Sequence, residues 1–290
     1  MGDEYLAPYC NNYHQWIQYQ TYDVTQALSS GGTLCVTVGN GWYASRMGYF
    51  SKPGDAGHYG TGAMLIAEIV LRYADGTEEV VGTDESWHVK RSCITDSSIY
   101  DGEIRDDTLP QTDPEPVTIT QAAAPLVERY SRSVRVQETV TPVELIHTPA
   151  GETVLDLGQN IVGWVSFRVN EPAGTAINFQ HGEILQDGCF YNDNLRHAKA
   201  EYVYISDGNE ATVSPYFTFF GFRYVKISGN TKPIDLNDFL GCVVYSDLDE
   251  TGFLTTSDPR INRLYLNAKW SQKDNFLDLP TDCPQRDERM

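Results

Sequence analysis

Short runs of β-branched and aromatic residues, separated by turn residues, extend through most of this 290-residue chain. One run, at 33–38, ends in the turn signal Gly39-Asn-Gly41, and another, at 63–73, leads into Ala74-Asp-Gly76. Short β-rich runs bounded by glycine and asparagine or aspartate predict antiparallel strands joined by tight turns. The chain is therefore expected to be mainly β.

A proline-rich stretch, 110–116, interrupts this pattern, because prolines cannot donate the hydrogen bonds of an inner strand. A second set of predicted strands follows at 133–140, 153–157, 163–169, 175–179, 202–205 and 222–227. Helical spacing appears only after Asp258 and Pro259, which predict a helix N-cap and first turn. We predict an antiparallel β-sandwich at 1–118, a second at 119–247, and a linker helix with the onset of a further domain at 248–290.

The chain carries 40 acidic against 21 basic side chains, a formal charge of −19, which argues against nucleic acid and anionic membranes as partners. No apolar run is long enough to span a bilayer. The first residues show no export signal, and the six scattered cysteines suit a reducing compartment. We therefore expect a cytoplasmic protein, with secretion left open because the beginning of the chain looks truncated.

The last residues concentrate the chemistry of the chain. Three carboxylates and two guanidinium groups lie within eight positions: Asp282, Arg286, Asp287, Glu288 and Arg289. Carboxylates beside arginines can bind sugar hydroxyls, and a carboxyl in a drier setting can keep its proton and act as a general acid. Glycoside hydrolysis needs two such carboxyl groups across the scissile bond. The alternative is a solvated charged loop, which spacing alone favours.

The same stretch resembles a known family. Pro280-Thr-Asp-Cys-Pro-Gln-Arg-Asp-Glu-Arg289 is similar to the entry into the catalytic domain of bacterial α-L-rhamnosidases, glycoside hydrolase family 78. Upstream segments resemble that family in the same order: 19–25, 39–43 and 100–103 its N-terminal β domain, and 156–164, 182–183, 195–199 and 217–224 its concanavalin-like domain.

The resemblance implies an enzyme that removes terminal α-linked L-rhamnose from glycosides by an inverting mechanism, without a required cofactor. By position, it implies that Glu288 is the general acid and that Asp282 and Arg286 bind the rhamnose. Asp287 competes with Glu288 for the acid role. It also implies that 248–290 begins an (α/α) six-hairpin barrel, and that the complete enzyme is a candidate homodimer.

The barrel of that family supplies the general base, to which no residue of this chain is assigned. Both ends of the chain resemble positions inside the family's domains, so we expect part of a longer protein. Inverting hydrolysis needs both carboxyl groups. The chain alone is therefore predicted not to hydrolyse rhamnosides.

Two other functions stay open. In some relatives the first β domain binds rhamnose with calcium, so Asn40 and Trp42 are candidates for a carbohydrate-binding module, although Trp42 also suits a sandwich core. The acidic stretch 101–107 lacks the spacing of a known calcium-binding loop. The histidines show no zinc-binding motif, and we expect His181 to make a structural hydrogen bond. The third option is a scaffold that binds nothing.

Overall fold

The computed structural model describes residues 2–48, 51–52, 54–55, 57–122 and 124–288. Arg289 of the charged run lies outside these residues. The described strands are β1 (Ile17–Tyr19), β2 (Glu68–Arg72), β3 (Glu78–Gly82), β4 (His88–Val89), β5 (Ile94–Ser98), β6 (Gly102–Asp106), β7 (Glu115–Pro116), β8 (Leu126–Glu128), β9 (Val134–Val140), β10 (Glu144–His147), β11 (Thr153–Val169), β12 (Ala176–Gly182), β13 (Ile184–Gln186), β14 (Cys189–Tyr191), β15 (Glu201–Ile205), β16 (Ala211–Val213), β17 (Phe220–Ser228), β18 (Phe239–Ser246), β19 (Phe276–Leu277) and β20 (Leu279–Pro280).

The helices are α1 (Gly41–Ala44) and α2 (Pro259–Asp274), with short 3-10 turns at Asp193–Leu195 and Leu236–Asp238. Neither of these two helices has the length and apolar character that crossing a membrane would require. Most of the described regular structure is therefore strand, as the sequence predicts.

A ten-stranded sheet organises the molecule, in the order β5-β6-β15-β12-β17-β11-β18-β9, with β10 and β16 also paired to β11. The predicted strands at 153–157 and 163–169 are joined in β11, because its pairing with β17 shifts register between Asp156 and Ile161 without ending. Gly163 has a φ of +140°, and a Cβ there would lie 2.0 Å from the carbonyl oxygen of Cys242. Only glycine lets β11 and β18 approach in this way.

Aromatic side chains fill the core against this sheet. The ring centroids of Phe167 and Phe179 are 4.4 Å apart, and Phe239 stacks 6.3 Å from Phe167. Burial alternates along β15, so that Tyr202 and Tyr204 face the same core. Large buried aromatics of this kind supply most of the apolar area removed from water. Most of the core thus lies in the region that carries the second predicted set of strands, and the N-terminal region adds Trp42 and Tyr100 to it.

Two strand pairs in the described part of the chain are parallel, β1 with β8 and β6 with β15. The second pair joins a strand of the first predicted domain to the sheet of the second, which sequence spacing did not anticipate. Parallel neighbours need a long crossover, and nearly a hundred residues separate these two strands. The domain limits at 118 and 247 stay predictions.

The N-terminal region departs from one prediction and matches another. The hairpin at Ala74-Asp-Gly76 is confirmed: it joins β2 to β3, and Gly76 has a φ of +86°. The strand predicted at 33–38 is wrong, since this run is irregular and both Val36 and Val38 are 44% exposed. Strand-forming residues need a neighbouring strand to pack and bond with, and none of the described strands pairs with this run. The predicted connector is irregular from 110 to 114 and ends in β7, which pairs with β4.

The predicted C-terminal helix is confirmed as α2. Asp258 caps it, because its carboxylate accepts a hydrogen bond from the Arg260 backbone N–H at 2.8 Å. Ile261 and Leu264 in the early turns are 46% and 67% exposed, whereas Asp274 at the last turn is buried and accepts from the Val162 N–H of β11. The end of α2 is thus fastened to the sheet, and its early apolar stripe is uncovered.

Candidate active site

The turn after α2 carries the charged run back to the β region. Leu277 is fully buried in the core. The backbone N–H of Asp278 donates to Ser246 Oγ at 2.8 Å, and its Oδ2 accepts from the Cys10 N–H at 3.1 Å. Burial raises the pKa of Asp278. These contacts fix where the segment 282–288 begins.

A glycine of β17 allows this segment to pack closely against the sheet. A Cβ on Gly221 would lie 2.9 Å from the backbone nitrogen of Gln285 and 3.1 Å from Pro284. Any larger residue would push the segment away from the sheet, so the closeness of 284–285 to β17 depends on Gly221. Gly221 lies in the stretch 217–224 that resembles the family, and sequence alone gives no role for it.

Asp287 lies at the centre of a buried charge network. Its side chain is 0% exposed. Its Oδ2 accepts from Arg46 Nη1 at 3.2 Å and its Oδ1 from Arg196 Nε at 3.2 Å, while His197 Nδ1 is 3.6 Å from Oδ2. A carboxylate with both oxygens engaged and no exposed surface is an internal anchor. The acid role predicted for Asp287 stays a prediction, and this geometry speaks against it.

Arg46 connects Asp287 to the N-terminal region and is only 3% exposed. Its Nε and Nη2 donate to the two oxygens of Asp101 at 3.0 and 2.8 Å. Nη1 also donates to the Ser51 carbonyl at 3.2 Å, and Nη2 to the His197 carbonyl at 2.9 Å. Burial opposes the charge of Arg46, but its bonds to Asp101 and Asp287 prevail and raise the pKa of the guanidinium.

Glu288, the next residue, is less buried than Asp287, although both contact Arg196. Its carboxylate Oε1 lies 2.8 Å from Arg196 Nη2 and 3.3 Å from Arg286 Nη2, and its side chain is 19% exposed. Its backbone carbonyl accepts from the Tyr100 hydroxyl at 2.5 Å. The backbone of Glu288 is therefore held from behind while its carboxyl reaches the surface beside two cations. This is the placement that the prediction for Glu288 requires.

Asp282 and Arg286 meet through Cys283. Arg286 Nε donates to the Cys283 sulfur at 3.1 Å, and the thiol donates to Asp282 Oδ2 at 3.4 Å. Burial raises the pKa of the Cys283 thiol. The thiol therefore keeps its proton and orients the guanidinium and the carboxylate together, with Asp282 exposed to solvent.

One small pocket brings four of the predicted site residues together. It is lined by Trp42, Tyr100 and Phe219 on the β side and by Asp282, Arg286 and Glu288 on the C-terminal side. Trp42 is 5% exposed, so the core position considered for it is observed. Its indole N–H nevertheless has no hydrogen-bond partner within the described structure. The pocket has room for about 10 Å³, roughly one water molecule, so a sugar ring would lie over it.

Asn40 is not brought into this pocket. Its amide donates to the Ser97 carbonyl at 2.8 Å, and its backbone N–H bonds to Ser97 Oγ at 3.2 Å. Both groups fasten the start of α1 to β5. The role predicted for Asn40 in sugar or calcium binding stays a prediction.

The acidic stretch 101–107 does not converge on one point. Asp101 pairs with Arg46, Asp107 pairs with Arg105, and Glu103 is buried against the Tyr216 N–H. Among the residues that the structure describes, one set of possible metal ligands lies within 4.8 Å of one another: Asp282, Cys283 and Glu288. Arg286 contacts two of these three, which disfavours a further cation there.

His181 has the structural role predicted for it. It is 2% exposed, stacks on Phe220 at 3.8 Å between centroids, and its Nδ1 lies 2.9 Å from the Ala200 carbonyl oxygen. Burial lowers the pKa of His181 to about 3, so the ring is neutral.

Sequence reasoning missed three residues of this site: Arg46, Tyr100 and Arg196. Tyr100 and Arg196 lie in stretches that resemble the family, 100–103 and 195–199, but no role was assigned to either. Arg46 had no such signal. Only the tertiary structure brings these three side chains to the charged run.

Models of α-L-rhamnosidase domains match the chain in the same order as these structural parts. The N-terminal domain model matches residues 1–145, the bacterial concanavalin-like domain model 146–245, and the bacterial six-hairpin glycosidase domain model 249–290. The chain belongs to the α-L-rhamnosidase family. The site just described lies where residues of the first and second models meet the start of the third.

Known α-L-rhamnosidases align with this chain over its whole length. One from Streptomyces avermitilis is 35% identical over 305 residues, covering 100% of this chain and 29% of the relative. One from Alteromonas sp. (strain LOR) is 32% identical, with 100% and 33% covered. The chain thus spans about a third of the length of these relatives.

Solved structures of the family show the same fold. The Streptomyces avermitilis α-L-rhamnosidase complexed with L-rhamnose matches with a TM-score of 0.90 at 34% identity, over 100% of this chain and 29% of that one. The Aspergillus terreus α-L-rhamnosidase matches with a TM-score of 0.89 at 34% identity, over 100% and 35%. The predicted family and fold class are confirmed.

Proposed function

We propose that this chain supplies the general acid and part of the sugar site of an inverting α-L-rhamnosidase. Glu288 is the acid, and Asp282 and Arg286 bind the rhamnose. The observation that carries the proposal is the different burial of two adjacent carboxyl groups. Asp287 is buried between Arg46 and Arg196, whereas Glu288 lines a pocket with Asp282 and Arg286.

The acid must donate a proton to the oxygen that leaves the sugar. In this chain Arg286 and Arg196 both contact the Glu288 carboxylate. A rhamnose hydroxyl that engages Arg286 would withdraw one cation from Glu288, and the sugar ring would exclude water from it. The exposed Asp282 carboxylate accepts from a neighbouring hydroxyl.

The chain alone is proposed to be inactive, because an inverting reaction also needs a base about 6.5–9.5 Å from the acid with a water between them. The test joins this chain to the part of the Streptomyces avermitilis relative that follows the matching region. The chimera should hydrolyse an aryl α-L-rhamnoside, and the chain alone should not. Turnover by the chain alone would refute the inactivity.

The acid role is tested in the chimera with Glu288→Gln. We expect a loss of ~10²–10⁴-fold on an alkyl rhamnoside and a smaller loss on a nitrophenyl rhamnoside, whose leaving group needs less protonation. The exposed Glu115→Gln is the matched control and should keep full activity. Equal losses on both substrates would reject Glu288 as the acid.

A second function is supported by the unpartnered indole N–H of Trp42, which lines the same pocket. We propose that the chain binds L-rhamnose without turnover. Calorimetric titration with L-rhamnose, first in the presence of calcium and then in the presence of a chelator, tests both the binding and its calcium requirement. Trp42→Phe keeps an aromatic ring but removes the indole N–H donor, so it should weaken any rhamnose binding observed. Flat titrations in both conditions would reject the carbohydrate-binding module.

A further inference from the structure

We infer that Arg46 is a positioning residue, which holds the Asp287–Glu288 pair in place from the N-terminal region. Its meaning for catalysis rests on the proposed function, whereas its mechanical role does not. Arg46 is 241 positions from Asp287 in sequence, so only the fold brings the two side chains together.

A guanidinium group has five N–H donors in a fixed plane, and Arg46 directs them to four partners. Two donors form a fork on Asp101, as carboxylate recognition by arginine requires. The others reach Asp287 and the backbone carbonyls of Ser51 and His197. Three separate stretches of chain therefore meet the charged run at one buried side chain.

The hydrogen bonds of Arg46 also affect the position of Glu288, by two routes. Arg196 contacts Asp287 at 3.2 Å and Glu288 at 2.8 Å, so a displaced Asp287 would draw Arg196 away from the acid. Tyr100, adjacent to Asp101, donates to the Glu288 carbonyl at 2.5 Å. Arg46 thus fixes both the side-chain partner and the backbone of Glu288.

Removing Arg46 leaves the Asp287 charge buried with one cation fewer, a costly state that the segment can relieve by swinging outward. Hydrogen–deuterium exchange of the 290-residue chain measures this movement without sugar or turnover. In Arg46→Met, amides of 279–288 should exchange about tenfold faster or more, while peptides from β11 and β17 keep their wild-type rates. Arg105→Met removes a comparable arginine–carboxylate fork, with Asp107, and should leave 279–288 unchanged.

A double variant distinguishes a positioning role of Arg46 from a general loss of structure. In Arg46→Met with Asp287→Asn, Asp101 still lacks its arginine partner, but position 287 no longer carries a buried charge. Exchange of 279–288 should therefore return toward the wild-type rate. Unchanged exchange in Arg46→Met, equal acceleration in β11 and β17, or no recovery in the double variant would each overturn the inference. Because no catalysis is measured, an inactive chimera would count against the proposed function alone.

Discussion

Asp274 is the group through which pH should change the stability of this chain most clearly. It is 6% exposed, at the C-terminal end of α2. Burial raises its pKa from 3.8 to about 7, the Val162 N–H opposes this rise, and the negative charge of Glu183 adds to it. The folded chain therefore holds this proton more tightly than the unfolded chain does.

The sign follows from that difference. The contribution of Asp274 is fully present below about pH 3.8 and is lost as pH rises toward 7, because only the unfolded carboxyl ionises freely in that range. At about 1.36 kcal/mol per pKa unit, the free energy of unfolding is lowered by roughly 2 kcal/mol at pH 5 and by about 4 kcal/mol at pH 8. The near-complete burial of the side chain leaves little solvent screening to reduce these figures.

Asp274→Asn tests the magnitude, since the amide oxygen can still accept from Val162 and carries no charge. Urea unfolding at both pH values should show the variant gaining roughly 2–3 kcal/mol relative to wild type between pH 5 and pH 8. Asp249→Asn removes a charge at an exposed position and should show no such gain. If wild type and Asp274→Asn had the same pH dependence, the burial argument would be refuted.

Three further outcomes follow from the same contacts. Asp258→Ala should lower the free energy of unfolding by about 1 kcal/mol, because it removes the N-cap hydrogen bond of α2. Urea unfolding measures this, and the control Asp258→Asn, which can still cap the helix, should leave the stability unchanged. Gly221→Ala should displace 284–285 and hasten proteolysis there, while circular dichroism of the sheet is retained; unaltered cleavage would contradict the close packing. Amides of 261–268 should exchange fast, because their helical turns are exposed; strong protection in a monomer would contradict this.

The sequence by itself determined the elements with strong local causes. The strands of the second set appear where β-branched and aromatic residues alternate between turns, as in Glu201–Ile205. The helix starts where Asp258 and Pro259 predict, because capping and a fixed φ act within one turn. The family resemblance rests on the string 280–289 and on upstream segments from 19 onward, and the domain models match the chain in the same order.

Only the tertiary structure decided which carboxyl of the adjacent pair faces outward. Neighbouring residues of an irregular segment have no periodicity that separates them, so Asp287 and Glu288 look alike in sequence. Arg46, which lies 241 positions from Asp287, contacts the buried carboxyl, whereas Arg196, 91 positions from Asp287, contacts both carboxyls. Buried charges need partners at contact distance, and partners so far apart in sequence are brought together only by the fold.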